Sequence, residues 1–376
     1  MSQSRSTSSA DSRGVDPARL PSNARKRVFV AGLGLIGGSL AMALRASGRY
    51  VVEGFDIDGR SLDRAVALGA LDRAARSLDE AVDADLVVVA TPLLAMPSVF
   101  AELERCLKGA CRAGGPVVTD VGSAKGYVLA LAREHLAPEI PFVGGHPMAG
   151  SEQSGVEHAS SGLLRGCRYV VTPATWARDA DIRAVIEVCE AAGAVPQVVA
   201  PGDHDAMVAA TSHLPLVVAA CLARVVGERS TVHPSIWDLA AGGFRDTTRV
   251  SSGDPDMGAG MLVANASRVL EALDEFQREL DGARALIAAA EAASAQPEAG
   301  PAGAERVRQF LAKAKASRQA WIDRTHAPGR ANAEGEGGAP ETGEAGQRDT
   351  RVRGRARYTD RTGAAPERRS RPKSEG

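Results

Sequence analysis

The chain carries little net charge and few aromatic side chains. Its 45 Lys and Arg stand against 46 Asp and Glu, and Phe, Trp and Tyr make up 4% of 376 residues. A nucleic-acid surface built from a basic face and stacking rings has no support in that composition. Cysteine is also sparse. Cys106, Cys111, Cys167, Cys189 and Cys221 lie in apolar or helical surroundings without C-x-x-C spacing, which points to buried free thiols in a reducing cytoplasm rather than disulfides or a zinc site. The first residues, MSQSRSTSSADSRGVDPAR, lack the apolar core of a signal peptide, and no uninterrupted apolar run reaches the length of a membrane span. The expectation is a soluble protein without internal repeats, long enough for one or two cores.

What the sequence does contain is a strand-turn-helix signature from Val28 to Gly38. Val28, Phe29 and Val30 precede Gly32, Gly34 and Gly37 in G-x-G-x-x-G spacing, and Leu35 and Ile36 open a helix-compatible stretch. Gly32 permits the sharp turn, Gly34 removes a Cβ that would hold a pyrophosphate away, and Gly37 lets helix and strand approach closely. The free N–H groups at the helix start would then receive the phosphates. A second apolar run, Tyr50 to Phe55, ends in Asp56, at about the separation expected for the acid that binds an adenosine ribose. A carboxylate there favours NAD over NADP, moderated by nearby Arg60.

Residues 1–24 read as a disordered leader, because Ser, Arg and Asp alternate without apolar periodicity. Residues 25–200 alternate apolar runs with helical stretches. Runs at Val28–Ala31, Val51–Phe55, Leu86–Ala90, Pro116–Thr119, Pro141–Val143, Tyr169–Thr172 and Ala194–Val199 predict a Rossmann-type, doubly wound parallel sheet, hence an α/β fold. Residues 201–325 form an all-helical second domain, with stretches at Asp203–Gly227, Ser235–Ala241, Met257–Arg278, Leu280–Ala293 and Ala304–Arg324. Pro215 would kink the first of these or divide it. So many small and apolar helical positions point to a homodimer interface and a substrate-binding face. Residues 326–376 read as a disordered tail, basic at its end.

In open parallel sheets ligands sit beyond the carboxyl ends of the strands. Thr91 and Pro92, Asp120 to Gly126, and Gly144 to Glu152 occupy such positions and would share one crevice with the Gly32 turn. His146, between glycines and a proline, is suited to accept a proton near neutral pH; a structural histidine capping the loop is the alternative. Ser123 could orient the imidazole or bond the reacting oxygen, or be a turn serine. Lys125 and Glu152 have the residue types of surface positions, but their loops give one of them a chance to face the pocket. In the helical half, Asp205 and His213 stand eight residues apart, on roughly one helical face. The glycine-rich stretch Gly242 to Pro255 holds Arg245 and Arg249 among hydroxyl residues, either a bidentate carboxylate clamp or paired surface charges.

The series GLGLIGGS, VTDVGSAKG, FVGGHPMAGSEQSGV, HDAMVAATSHLPL and GGFRDTTRVSSGDPDM resembles the prephenate and arogenate dehydrogenases of tyrosine biosynthesis, in that order over roughly residues 27–280. The resemblance implies an NAD(P)-binding domain, a helical dimerisation domain, and oxidative decarboxylation of a cyclohexadienol. His146 matches the histidine that accepts the hydroxyl proton, Ser123 the serine assisting it, and Arg249 the arginine holding a substrate carboxylate. Glu152, Asp205 and His213 match pocket and hinge positions.

Two departures stand out: Leu216 replaces a second histidine, which bears on the substrate side chain, and Gly258 replaces an aromatic residue. Prephenate is the leading substrate. Arogenate or an amino-substituted prephenate is the alternative, and a non-catalytic dinucleotide sensor is the reading from another class. A β-hydroxyacid dehydrogenase would want a catalytic lysine in the second domain, where residues 203–293 contain none. The C-terminal part shows no strand-rich pattern, so tyrosine inhibition through a regulatory domain of that kind is not expected.

Overall fold

The first strand shows how the sheet is buried on both sides. In the computed structural model, which describes residues 25–108, 115–294 and 302–325, Lys26–Ala31 forms β1. Val28 and Val30 point into one apolar layer with Leu40, Leu44, Val185 and Val188. Phe29 and Ala31 point into the other, with Phe100, Leu103, Val128 and Ala132. Alternate side chains of a strand leave opposite faces, so a continuous apolar run serves two layers at once. The predicted leader 1–24, the tail 326–376 and Cys111 lie outside the described residues.

Helix Leu35–Ala46 (α1) follows β1, then Tyr50–Phe55 (β2), Gly59–Ala67 (α2), the two-residue Arg73–Ala74 (β3), Leu86–Val89 (β4), Met96–Leu107 (α3), Val117–Asp120 (β5) and Lys125–His135 (α4). Phe142–Pro147 (β6), Arg168–Pro173 (β7), Asp179–Ala191 (α5) and Val195–Val198 (β8) complete the sheet. The strand order is β3-β2-β1-β4-β5-β6-β7-β8. The order reverses direction between β1 and β4, which pair in parallel with Val28 opposite Leu86. That junction opens the crevice in which such folds bind dinucleotides.

The sheet is not wholly parallel as the sequence suggested. β7 runs antiparallel to β6, with His146 opposite Val170. The connection from β6 to β7 carries only a short 3₁₀ turn, Val156–His158, and not the long helix that a parallel return requires. β3 was not expected at all, being too short to show an alternating pattern.

The second half is helical: Pro201–Val208 (α6), a π-helical turn Ala209–His213, Leu214–Ser230 (α7), Gly242–Thr248 (α8), Pro255–Ala264 (α9), Ala266–Ser294 (α10) and Ala302–Thr325 (α11). Pro215 accounts for the π turn. Its ring cannot donate to the carbonyl of Thr211 and would crowd it, and the widened turn absorbs the conflict. The stretch Gly242 to Pro255, expected as a loop, is mostly helical. Ser235–Ala241 yields only a 3₁₀ turn, Pro234–Ile236. The expected Met257–Arg278 helix breaks at Asn265 (φ −115°, ψ 26°), after which α10 runs unbroken past Arg278.

By length and composition, Pro201–Ser230 is long and apolar enough to cross a membrane, although no single run within it is uninterrupted. Its buried polar residues are partnered within the protein: His204 bonds Asp205, Asp205 also accepts from the Lys125 N–H, and His213 faces Asn265. Of the four described cysteines, Cys167 and Cys189 are buried as expected, Cys106 is half-buried, and Cys221 is exposed on α7. All four are free thiols.

Candidate active site

The turn after β1 is built for a backbone that must pass close to other backbone. Gly32 has φ +96°, and a Cβ there would stand 2.7 Å from the carbonyl carbon and oxygen of Ala90 at the end of β4. A Cβ on Gly37 would stand 2.1 Å from the Gly32 oxygen and 2.9 Å from the Ala90 Cβ. Gly34 differs, because its Cβ would meet no protein atom within 4 Å. The open space thus lies at the glycine expected to admit a pyrophosphate.

Helix α1 starts there with no side-chain cap and no acidic residue in its first turn, so the partial positive charge at Gly34, Leu35 and Ile36 is left for an anion. The Asp56 carboxylate stands at the same turn, accepting from the N–H of Leu33 (2.7 Å) and of Asp58 (2.9 Å). Across the crevice, the Thr91 hydroxyl is buried with no partner among the described residues, and Pro92 follows it on the surface. An open glycine, an uncapped helix start, a fixed carboxylate and an unpartnered hydroxyl suit a dinucleotide.

Next to this crevice lies a polar cluster inside the protein. Lys125, at the start of α4, is completely buried; its ammonium donates to the Gly145 carbonyl (2.6 Å) and to the Asp120 carboxylate. Burial pulls the ammonium below the ordinary lysine value, and Asp120 opposes this. Asp120 also accepts from the N–H of Gly145 (3.0 Å) and of Gly122 (2.8 Å). Both polar groups of the Gly145 backbone are therefore fixed, and His146 follows directly in the same strand. Lys125 thus holds the strand and presents no charge at the surface.

His146 sits within β6 and not in a loop, because the backbone of Gly144 to Pro147 pairs with β7. Its Nδ1 lies 2.8 Å from His204 Nε2, and His204 Nδ1 lies 2.7 Å from Asp205 Oδ1. His204 was missed as a site residue. The signal for it was its place beside Asp205 in HDAM, but its partner is 58 residues away.

Asp205 does more than bear a charge at a helix start. Its two oxygens accept from the N–H of Lys125 (2.7 Å) and of Gly126 (2.8 Å), so α6 supplies the cap that α4 lacks. Burial alone would raise its pKa, but bonds from His204 and from the N–H groups of Gly126 and Lys125 overrule burial and hold it below the ordinary value.

The remaining site candidates divide into two groups. His213 is buried at the end of the π turn. Asn265 Nδ2 donates to the Asp205 carbonyl (2.8 Å) and faces His213 Nδ1 (3.3 Å), while His213 Nε2 has no partner among the described residues. His213 and Asp205 are thus linked through Asn265, which sequence reasoning also missed, and not along a helix face. Burial pulls His213 below the ordinary histidine value. Arg249 and Glu152 meet at the surface, Nη1 to Oε2 3.2 Å, with side chains 62% and 46% exposed. Arg245 instead pairs with its neighbour Asp246 and takes no part. Ser123 is half-buried and makes no hydrogen bond among the described residues; His204, and not Ser123, orients His146.

Burial holds His146 well below the ordinary histidine value, reinforced by the charge of Lys125 and by His204 and His213. A neutral imidazole close to a crevice suited to a dinucleotide is the equipment of a dehydrogenase, in which a base removes a proton while a nicotinamide takes the hydride. Residues 40–198 match the nucleotide-binding domain of prephenate dehydrogenase, and residues 200–296 match its dimerization domain. Prephenate dehydrogenase of Bacillus subtilis (strain 168) is 34% identical over 263 residues, which are 69% of this chain and 70% of that one. Cyclohexadienyl dehydrogenase of Zymomonas mobilis is 32% identical over 266 residues, 70% of this chain and 89% of that one.

Among solved structures, prephenate dehydrogenase from A. aeolicus, in complex with hydroxyphenyl propionate and NAD+, aligns at TM-score 0.69 and 30% identity. The alignment covers 79% of this chain and 98% of the other. Synechocystis arogenate dehydrogenase aligns at TM-score 0.63 and 29% identity over 78% of this chain and 99% of its own. The chain belongs to the prephenate dehydrogenase family and is an NAD-dependent oxidoreductase.

Proposed function

We propose that the chain oxidatively decarboxylates prephenate to 4-hydroxyphenylpyruvate with NAD, in tyrosine biosynthesis, as a cytoplasmic homodimer. The observation that carries this reading is the series of short contacts from His146 Nδ1 to His204 Nε2 and from His204 Nδ1 to Asp205. Asp205 accepts the Nδ1 proton of His204, and an imidazole that donates from Nδ1 alone carries its lone pair on Nε2. That lone pair accepts from His146 Nδ1, which leaves His146 Nε2 free to take a proton. Its depressed pKa keeps it neutral, and therefore basic, at pH 7.

His146 removes the proton of the substrate's ring hydroxyl, and Ser123, whose hydroxyl is uncommitted, steadies the same oxygen. Arg249 leaves Glu152 to hold a substrate carboxylate; an exposed pair contributes only about 0–1 kcal/mol, so the exchange costs little. The Gly32–Gly37 turn, Asp56, Thr91 and Pro92 would hold NAD, which would supply the hydride acceptor. Loss of carbon dioxide and formation of the aromatic ring supply the driving force, so the residues need chiefly to orient the ring and withdraw one proton. His213, with Nε2 unpartnered, completes the pocket wall.

Arogenate remains as a second reading for one structural reason. The two departures from the family pattern meet, since a Cβ at Gly258 would stand 3.4 Å from Leu216 Cδ2. Both residues that would shape the side-chain end of the pocket have thus changed at one place. The test is the initial rate of NADH formation with prephenate and, separately, arogenate, each repeated with NADP. A rate with prephenate and NAD supports the proposal; activity with arogenate alone transfers it to that substrate, and silence with both overturns it.

A further inference from the structure

We propose that His204 is a proton-relay residue acting through His146, taking up on Nε2 the proton that His146 gives off from Nδ1 as it deprotonates the substrate. The inference rests on the reading of His146 as the base.

The geometry asks for more than orientation. His204 is 1% exposed and stands between His146 and Asp205 at 2.8 and 2.7 Å. A carbonyl or carboxylate bonded directly to His146 Nδ1 would fix its tautomer as well, without burying a second titratable ring. The difference lies in where a positive charge can rest. On α4, the Lys125 ammonium reaches the carbonyl of Gly145, the residue before His146. On β5, Asp120 is committed to that ammonium and to the N–H groups of Gly122 and Gly145. From the π turn, His213 adds a third imidazole, and Asn265 at the α9–α10 junction is neutral. A charge held on His146 thus faces a buried cation without a carboxylate bonded to it. A charge on His204 rests against Asp205, which is hydrogen-bonded and kept ionised.

The step balances without another reactant. The substrate O–H bond breaks as a bond forms to His146 Nε2; the His146 Nδ1–H bond breaks as one forms to His204 Nε2; the His204 Nδ1–H bond to Asp205 persists. One positive charge appears on His204, and His146 ends neutral. Two protons move in one step, and solvent deuterium reports this directly.

The experiment is a proton inventory of kcat in H₂O/D₂O mixtures, on the full chain with NAD and prephenate. A wild-type enzyme inactive on every cyclohexadienol, or a H146N variant that keeps full activity, sinks the proposed function and leaves the relay without a reaction. Given wild-type activity that H146N abolishes, the relay requires a bowed wild-type inventory. His204→Gln, whose amide oxygen can still accept from His146 Nδ1, should lower kcat about tenfold or more with KM for prephenate and NAD unchanged, and straighten the inventory. A linear or flat wild-type inventory overturns the relay whether or not the variant folds. So does a His204→Gln enzyme with unchanged kcat and unchanged curvature, since positioning alone would then suffice.

Discussion

As the proposed base, His146 depends on surroundings that deny it a proton at rest. Burial and the Lys125 charge lower its pKa, so the acid limb of kcat/KM should fall below pH 6.5, the ordinary histidine value, and a pH–rate series would show it. A limb centred at or above 6.5 would mean that another group is titrating. His146→Asn should reduce kcat by about 10²–10⁴-fold while leaving NAD affinity intact, as measured by turnover and by NAD titration.

Glu152 and Arg249 permit a sharper test. If Glu152 competes with the substrate for Arg249, Glu152→Gln should lower KM for prephenate by up to about fivefold, the equivalent of an exposed ion pair of about 1 kcal/mol. Arg249→Ala should raise it about tenfold or more, because a substrate carboxylate would lose a charge-assisted hydrogen bond worth about 1.5–3 kcal/mol. A rise in KM with Glu152→Gln, seen with arogenate, would instead make Glu152 a partner of the substrate ammonium.

At the scale of elements, the glycines around α1 divide by function, and two substitutions separate the roles. Gly37→Ala drives a methyl group into the Gly32 carbonyl and Ala90, so it should lower stability by about 1–3 kcal/mol or more even without cofactor. Gly34→Ala enters space that no protein atom fills, so it should keep the melting temperature of the apo protein and weaken NAD binding alone. Thermal melts with and without NAD distinguish these outcomes.

This strand-turn-helix unit was legible in the sequence because all its constraints are local: a β-branched run, three spaced glycines and a helix start lie within a dozen residues. The catalytic end was only half legible. His146 stood out by its neighbours, but Gly144 and Gly145 suggested a loop, because glycine in a strand weakens the pattern by which strands are read. They are in the strand because little space is left beside them: a Cβ on Gly145 would lie 2.5 Å from the Asp120 carbonyl oxygen. His204 and Asn265 were hidden for another reason: their partners come from other elements, and periodicity within one segment carries no information about those. The π turn was foreseen only as a break at Pro215.

At the scale of the whole molecule, buried ionisable groups set the pH range of stability. His146 and His213 have pKa values below 6.5 in the folded chain, so the unfolded chain binds more protons once pH falls below that value. Stability from these two residues should therefore decline as pH drops below 6.5 and be unaffected above it. Glu53 adds a second, more acidic loss. Burial would raise its pKa, but bonds from Arg73 and Arg27 hold it below 4.5, so the stability it provides above 4.5 disappears as pH falls through its lower folded value. Denaturant titrations from pH 8 down to about pH 2 should show the first decline before the second.

The helical half makes a further demand that one chain does not meet. Among the 17 residues of α7 only Ala219 is buried, and Val225, Leu280, Ile287, Leu311 and Trp321 are each about half or more exposed. Apolar surface of that extent is characteristic of an interface, and residues 200–296 match a dimerization domain. A second copy is the occupant that requires nothing else. Sedimentation equilibrium should therefore give twice the 39.0 kDa of the chain, with a melting temperature that rises with protein concentration, since association stabilises the folded form by mass action. Leu280→Glu together with Ile287→Glu should lower both the mass and the melting temperature, because two carboxylates would be buried without partners. A monomer at all concentrations would leave these apolar faces without a role and refute the dimer.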